Sequence, residues 1–161
     1  MPNAYTLAAN IPYYITGELL RKFLETPVQP KTIAFLMQKE VAQRILDKKE
    51  SILSLSVKAY GDPRIAAKVS KGNFNPPPDV DSVILVIKHI SKKNFTQVRE
   101  GKFFEVVRAG FASKRKKLSN NLAEKFGKEK VIEALLRQGI SANVRAEDVP
   151  LEKWLALAME V

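Results

Sequence analysis

The chain has 161 residues, 45% of them hydrophobic, which suffices for one globular domain or for a medium domain carrying a small second one. With no cysteine and a single histidine, His89, it excludes a disulfide framework, thiolate catalysis and the usual zinc sites, and no metal is expected. Lysine and arginine outnumber acidic residues 27 to 17, a formal charge of +10 that points to a polyanionic partner, either nucleic acid or an anionic membrane surface.

The apolar run Tyr5 to Ala9 reads as a short buried strand, closed by the polar turn Asn10-Ile11-Pro12-Tyr13-Tyr14. Leu19, Leu20, Phe23 and Leu24 recur at helical spacing, so a helix is predicted over Gly17 to Glu25, stopping before Pro27. Thr32 to Met37 is a second short apolar strand, and strand, helix, strand makes a parallel unit. Helices follow at Glu40 to Leu46 and Ile52 to Tyr60, the latter ended by Gly61-Asp62-Pro63. The period then changes. Arg64 to Ser70 and Ser82 to His89 are β-branched segments joined by the proline-rich link Asn73 to Asp81, as in an antiparallel pair at a sheet's edge. From about Ser91 the composition is basic and helical, with helices predicted at Gln97 to Ala112, Leu118 to Phe126, Lys130 to Gln138 and Leu151 to Met159, and with Gly127 and Gly139 as stops. The expected organisation is therefore an α/β domain over 1–90 and a small all-helical domain over 91–161. No stretch approaches the roughly 18 apolar residues that cross a bilayer. The N-terminus also lacks the regions of a secretory signal, and a cytoplasmic location is expected.

In open α/β sheets ligands bind beyond the carboxyl ends of strands, where Asn10 to Tyr13 falls. This position suits an aminopurine. The exocyclic amine of adenine is a poor nucleophile because its lone pair is delocalised into the ring, so alkylating it requires acceptors that favour the pyramidal amine. The Asn10 side-chain oxygen and a backbone carbonyl of Ile11 or Pro12 can each accept one N–H, and Tyr13 can stack on the base. The base must then be single-stranded or flipped out of its helix. Taken alone, the same residues also make a plain Asn-x-Pro turn, which is their commoner use. Asp79 and Asp81 stand beside a strand start and are read as turn caps without a catalytic part. His89 ends a strand with no partner in view.

Asn10-Ile11-Pro12-Tyr13 is followed by Gln38-Lys39-Glu40-Val41-Ala42-Gln43-Arg44, by Phe74-Asn75-Pro76-Pro77-Pro78-Asp79-Val80-Asp81-Ser82 and by Phe111-Ala112-Ser113-Lys114-Arg115-Lys116-Lys117-Leu118. Gly139-Ile140 and Arg145-Ala146-Glu147 come near the C-terminus. In this order the chain resembles the ribosomal RNA adenine dimethyltransferase family, of the small-subunit dimethyltransferase A type. The resemblance implies the C-terminal part of a Rossmann-like methyltransferase sheet, followed by a helical RNA-binding domain. It implies that Asn10, the Ile11 to Pro12 backbone and Tyr13 hold the target adenine, that Phe74 stacks on its other face, and that Asn10 touches the methionine end of S-adenosylmethionine. It also implies that Arg108 and Lys114, Arg115, Lys116 and Lys117 face small-subunit ribosomal RNA, with the immature small subunit as partner.

The family's glycine-rich cofactor loop is not found. No two of the seven glycines are separated by a single residue. The chain is accordingly expected to be the C-terminal portion of a dimethyltransferase that does not bind S-adenosylmethionine by itself. Its strand at residues 5–9, left without a neighbour, is expected to seek one, in a homodimer or with the missing N-terminal half. The alternatives are a non-catalytic RNA or ribosome-assembly binding module and a large-subunit rRNA methyltransferase conferring antibiotic resistance.

Overall fold

The computed structural model describes residues 5–161; residues 1–4, which open the first expected domain, lie outside the described residues. The chain forms two compact units. One holds the described residues up to Asp47 together with Ser56–Ser91, and the other holds Lys48–Leu55 and Lys92–Val161.

The first unit is built on four strands, β1 (Thr6–Asn10), β2 (Thr32–Gln38), β3 (Asp62–Val69) and β4 (Ser82–Lys88), in the order β1-β2-β4-β3. β1 and β2 run parallel, with Leu7 opposite Ile33 and Asn10 opposite Leu36. Helix α1 (Thr16–Glu25) forms the crossover between them. β4 lies antiparallel to both β2 and β3, and the β3 ladder is irregular between Ile65 and Ala67. Period-two alternation sends Ile33, Phe35 and Met37 of β2 and Val83, Leu85 and Ile87 of β4 into the core, each at most 1% exposed. Each such side chain stabilises the fold by about 2 kcal/mol relative to exposure. α1 contributes Leu20 and Leu24, and α2 (Lys39–Leu46) contributes Ala42 and Ile45, each pair spaced for one helix face.

The strand expected at Tyr5 to Ala9 forms, but it is not buried. Thr6, Ala8, Ala9 and Asn10 are exposed and Leu7 is half-buried. The reason is topological: among the described residues β1 is paired on one side only, by β2, so an apolar composition that suits a central strand sits at an edge. Smaller corrections concern helix ends. α1 starts at Thr16 behind a 3₁₀ turn over Tyr13–Ile15, and α3 (Ile52–Lys58) stops early because the amides of Tyr60 and Gly61 both turn back to the Val57 carbonyl.

The second unit packs α4 (Glu100–Gly110), α5 (Leu118–Phe126), α6 (Lys128–Arg137) and α7 (Leu151–Glu160) around Phe103, Val106, Val107, Leu122, Leu135, Trp154 and Leu157. α4 is shorter than the expected Gln97 to Ala112. Arg99 is extended, and at the far end the Ala112 amide bonds the Ala109 carbonyl in a tighter turn. α6 ends as its sequence signals: Gly139 takes φ +62°, and the Ile140 amide reaches back to the Leu135 carbonyl at 2.9 Å. Lys48–Leu55 is tied to this unit by backbone and charge. The Glu50 amide bonds the Glu147 carbonyl at 2.7 Å, and Lys49 Nζ reaches Glu147 at 2.7 Å and Asp148 at 3.3 Å.

Gly110 has no room for a side chain. A Cβ there would overlap the Trp154 ring, lying 2.8 Å from Cζ3, and would come within 2.9 Å of Leu118 Cδ1. Gly110→Ala is therefore expected to destabilise the helical unit by about 2 kcal/mol, the usual cost of overpacking a filled core. Urea unfolding followed by Trp154 fluorescence measures it. An unchanged midpoint would show that the indole moves aside freely.

Candidate functional site

β1 ends where proline interrupts it. Pro12 sits at φ −56° with no N–H to continue a ladder, and the chain turns at once, the Pro12 carbonyl accepting the Ile15 amide at 3.2 Å. Thr16 Oγ1 donates to the Tyr13 carbonyl at 3.3 Å and completes the turn into α1. The Pro12 carbonyl is thus engaged inside the turn. The Ile11 carbonyl and the Asn10 carboxamide make no hydrogen bond with any described residue, and the Asn10 side chain is exposed. Of the two carbonyls that the sequence left open, Ile11 is the one available.

Across from this turn lies the link between β3 and β4. Its start is wound by local polar contacts: Ser70 Oγ accepts from the Gly72 amide at 3.4 Å, Asn73 Nδ2 donates to the Ser70 carbonyl at 3.2 Å, and Asp81 Oδ1 accepts from the Lys71 amide at 3.0 Å. Asp81 is therefore the turn-binding carboxylate expected of it. The link carries Phe74 to the end of β1. Asn10, Ile11, Pro12 and Tyr13 line one open cleft of about 340 Å³ together with Phe74, Pro76 and Pro78. Tyr13 is pinned there, because its hydroxyl shares a 2.7 Å hydrogen bond with Oγ of Ser82, a fully buried residue at the start of β4. The cleft pairs two rings and a proline wall with two unoccupied acceptors, a combination suited to a flat heterocycle bearing an amine.

The basic residues belong to the helical unit. Arg108 is exposed on the last turn of α4, and Lys114 to Lys117 form the connection to α5, all four exposed. Asn121, buried, shapes that connection by donating to the carbonyls of Gly110 at 2.6 Å and Ser113 at 2.9 Å. The five cations are not equivalent. Lys116 Nζ contacts Glu124 at 2.6 Å and Lys117 Nζ contacts Asn143 Oδ1 at 2.6 Å, while the side chains of Arg108, Lys114 and Arg115 make no hydrogen bond or ion pair among the described residues. Glu147 is held below the ordinary glutamate range, first by the Lys49 hydrogen bond, with the charges of Lys114 and Arg145 adding to it.

The family model for ribosomal RNA adenine dimethylase matches residues 1–161, the whole chain. The chain belongs to that family. Among the curated relatives of this dimethylase-family chain, ribosomal RNA small subunit methyltransferase A of Dehalococcoides mccartyi strain CBDB1 is 43% identical over 160 residues, covering 97% of this chain and 55% of the relative. The protein of the same description from Mycoplasmopsis pulmonis is 36% identical over 98% of this chain and 63% of its own length. The chain thus spans little more than half the length of the curated relatives it matches. Two solved structures share its fold: a dimethyladenosine transferase from Plasmodium falciparum (TM-score 0.81, 24% identity, 98% of this chain and 67% of that one) and the 23S rRNA methyltransferase ErmE (TM-score 0.72, 22% identity, 99% and 66%).

The sequence alone did not show Pro76 and Pro78 as lining of the cleft or Ser82 as the anchor of Tyr13. Their signal was present in the Phe74 to Ser82 string, but a serine at a strand start shows no partner until the strand is placed beside Tyr13. His89, solvated as expected of it, does have a partner: its Nδ1 lies 2.8 Å from Asp62 Oδ2 at the start of β3, both side chains being exposed. No cluster of potential metal ligands occurs among the described residues, nor any helix long and apolar enough to cross a membrane.

Proposed function

We propose that this chain carries the target-base and RNA-binding parts of an S-adenosylmethionine-dependent enzyme that dimethylates N6 of adjacent adenines in small-subunit ribosomal RNA. One observation supports it above the others: Phe74, far downstream in sequence, lines the same cleft as Asn10, Ile11 and Tyr13. The family match and the small-subunit description of the relatives favour this reading over a large-subunit target. In this reading the α/β unit holds the base, the helical unit holds RNA phosphates, and the protein works in the cytoplasm on the immature small subunit.

Asn10 Oδ1 and the Ile11 carbonyl accept the two N–H bonds of the adenine amine, favouring the pyramidal form and aiming its lone pair. Phe74 and Tyr13 hold the ring faces, and the Tyr13 hydroxyl bond to Ser82 keeps its ring from following the base. The flipped adenine leaves its stack at a cost of a few kcal/mol, offset in part by these rings. S-adenosylmethionine, when bound, supplies an electrophilic sulfonium methyl. Among the described residues Asn10 fits its methionine end, since the exposed carboxamide has no internal partner and retains two N–H donors. The amine proton leaves to solvent after the methyl has moved, so the cleft requires no strong base.

The test is a fusion of this chain behind the N-terminal portion of the Dehalococcoides mccartyi relative, supplied with S-adenosylmethionine and unmethylated small-subunit RNA. Mass spectrometry should find dimethyladenosine at two adjacent positions. A fusion that binds the cofactor and the RNA but leaves adenine unmodified would overturn the proposal.

The edge of β1 belongs to the same reading. Thr6 to Ala9 includes no lysine or proline to block pairing, and the residues are mostly exposed, so the strand is expected to take a partner strand from a second copy or from a supplied N-terminal portion. Light scattering should give a mass above the monomer that rises with concentration, and amide exchange at Leu7 to Ala9 should slow in parallel. A concentration-independent monomer with fast exchange there would contradict it.

A further inference from the structure

The β3 to β4 link has a second face. Beside the aromatic cleft, Lys71, Asp79, Val80 and Asp81 line another cleft of about 330 Å³, with Lys39, Glu40 and Gln43 of α2 forming its far wall. Phe74, Pro76 and Pro78 face the first cleft and Asp79 to Asp81 the second. Pro78 and Asp79 are sequence neighbours, about 3.8 Å apart at Cα, so the two clefts share one wall of backbone.

The second lining is chemically unlike the first. Lys39 and Lys71 form no ion pair among the described residues although Glu40, Asp79 and Asp81 line the same cleft. The side chains of Gln43, Glu40 and Asp79 likewise make no internal hydrogen bond. The cleft therefore offers separate cations, free carboxylates and a free carboxamide. A bare phosphate would meet three carboxylates, and a purely cationic ligand would meet two ammonium groups. A nucleotide suits both sets, its phosphate on Lys39 and Lys71 and the polar edge of its base on Gln43, Glu40 or Asp79. The volume lies in the range of small-ligand sites.

We infer that this cleft seats the nucleotide next to the flipped adenine, with the Phe74 to Asp81 link acting as the partition between two neighbouring bases. The inference rests on the base-cleft reading given above. It adds a specificity site: an enzyme acting on adjacent adenines must register both, and the second cleft supplies the reading of the neighbour by base-edge contacts in place of stacking.

The experiment compares two RNA hairpins, one with two adjacent adenines in its loop and one with a single adenine beside an abasic ribose, titrated into the chain by fluorescence anisotropy. The unaltered chain should prefer the first by about tenfold, a usual discrimination for a well-made base-edge contact. Gln43→Ala combined with Asp79→Asn, the latter keeping its side chain's size, removes the Gln43 carboxamide and the Asp79 carboxylate and should abolish that preference. Both residues are exposed, so the fold should be kept, which circular dichroism checks. Asp81 stays in place because it holds the Lys71 amide. Phe74→Ala should weaken both hairpins about equally. If Phe74→Ala has no effect, the base-cleft reading fails, and this inference with it. If Phe74→Ala weakens binding but the unaltered chain binds both hairpins equally, or the double variant keeps the preference, the second site alone is overturned.

Discussion

Asn10→Ala in the completed fusion is expected to lower the rate of methyl transfer about 100-fold, the usual loss on removing one preorganised hydrogen-bonding group from a reacting centre. RNA affinity should stay within about twofold, because Asn10 contributes no phosphate attraction and no ring surface. The structure makes the substitution a clean one. The Asn10 side chain is exposed, makes no internal hydrogen bond and stands at the end of an edge strand, so its removal takes nothing from the core. The Ile11 carbonyl remains to accept one N–H, leaving a residual rate. Single-turnover rates with saturating RNA, beside RNA dissociation constants, separate the two effects. A fall in affinity matching the fall in rate would make Asn10 a binding residue, and an unchanged rate would remove it from the mechanism.

The combined substitution Arg108→Gln, Lys114→Gln and Arg115→Gln is expected to weaken binding to a small-subunit RNA hairpin on the order of 100-fold at about 0.1 M salt. The slope of log K against log salt should flatten by about two to three units, close to one for each phosphate that is no longer neutralised. The effect is assigned to these three because the fold divides the basic run. Lys116 and Lys117 are already engaged with Glu124 and Asn143, whereas the side chains of the other three make no hydrogen bond or ion pair among the described residues, Lys114 acting on Glu147 only through its charge. Lys116→Gln with Lys117→Gln should therefore change the slope by less than about one unit. Parallel salt dependences for the triple variant and the unaltered chain would show the run to be a solvated surface only.

How far the sequence reaches is best seen at the cleft. The strand at Tyr5 to Ala9, the proline stop and the turn residues were legible because proline geometry and apolar runs are local properties. The helical unit was legible for the same reason: its period and its stops at Gly127 and Gly139 depend on neighbours a few residues away, and all four helices stand within a few residues of their expected places. The antiparallel pairing of β3 and β4 also followed from local composition. What lay beyond the sequence were contacts between residues far apart in the chain. That Tyr13 is anchored on Ser82, that the Pro12 carbonyl is consumed while that of Ile11 is left, and that the link past Phe74 walls two clefts depend on how strands separated by many residues register side by side. The exposure of β1 is the plainest case. Its composition determined a strand, since apolar residues in a short run favour extended pairing wherever they sit. That it would lack a neighbour on one side was already expected; how its residues divide between solvent and sheet, Leu7 half-buried and Ala8 exposed, depends on what packs against them, and only the tertiary arrangement decides it.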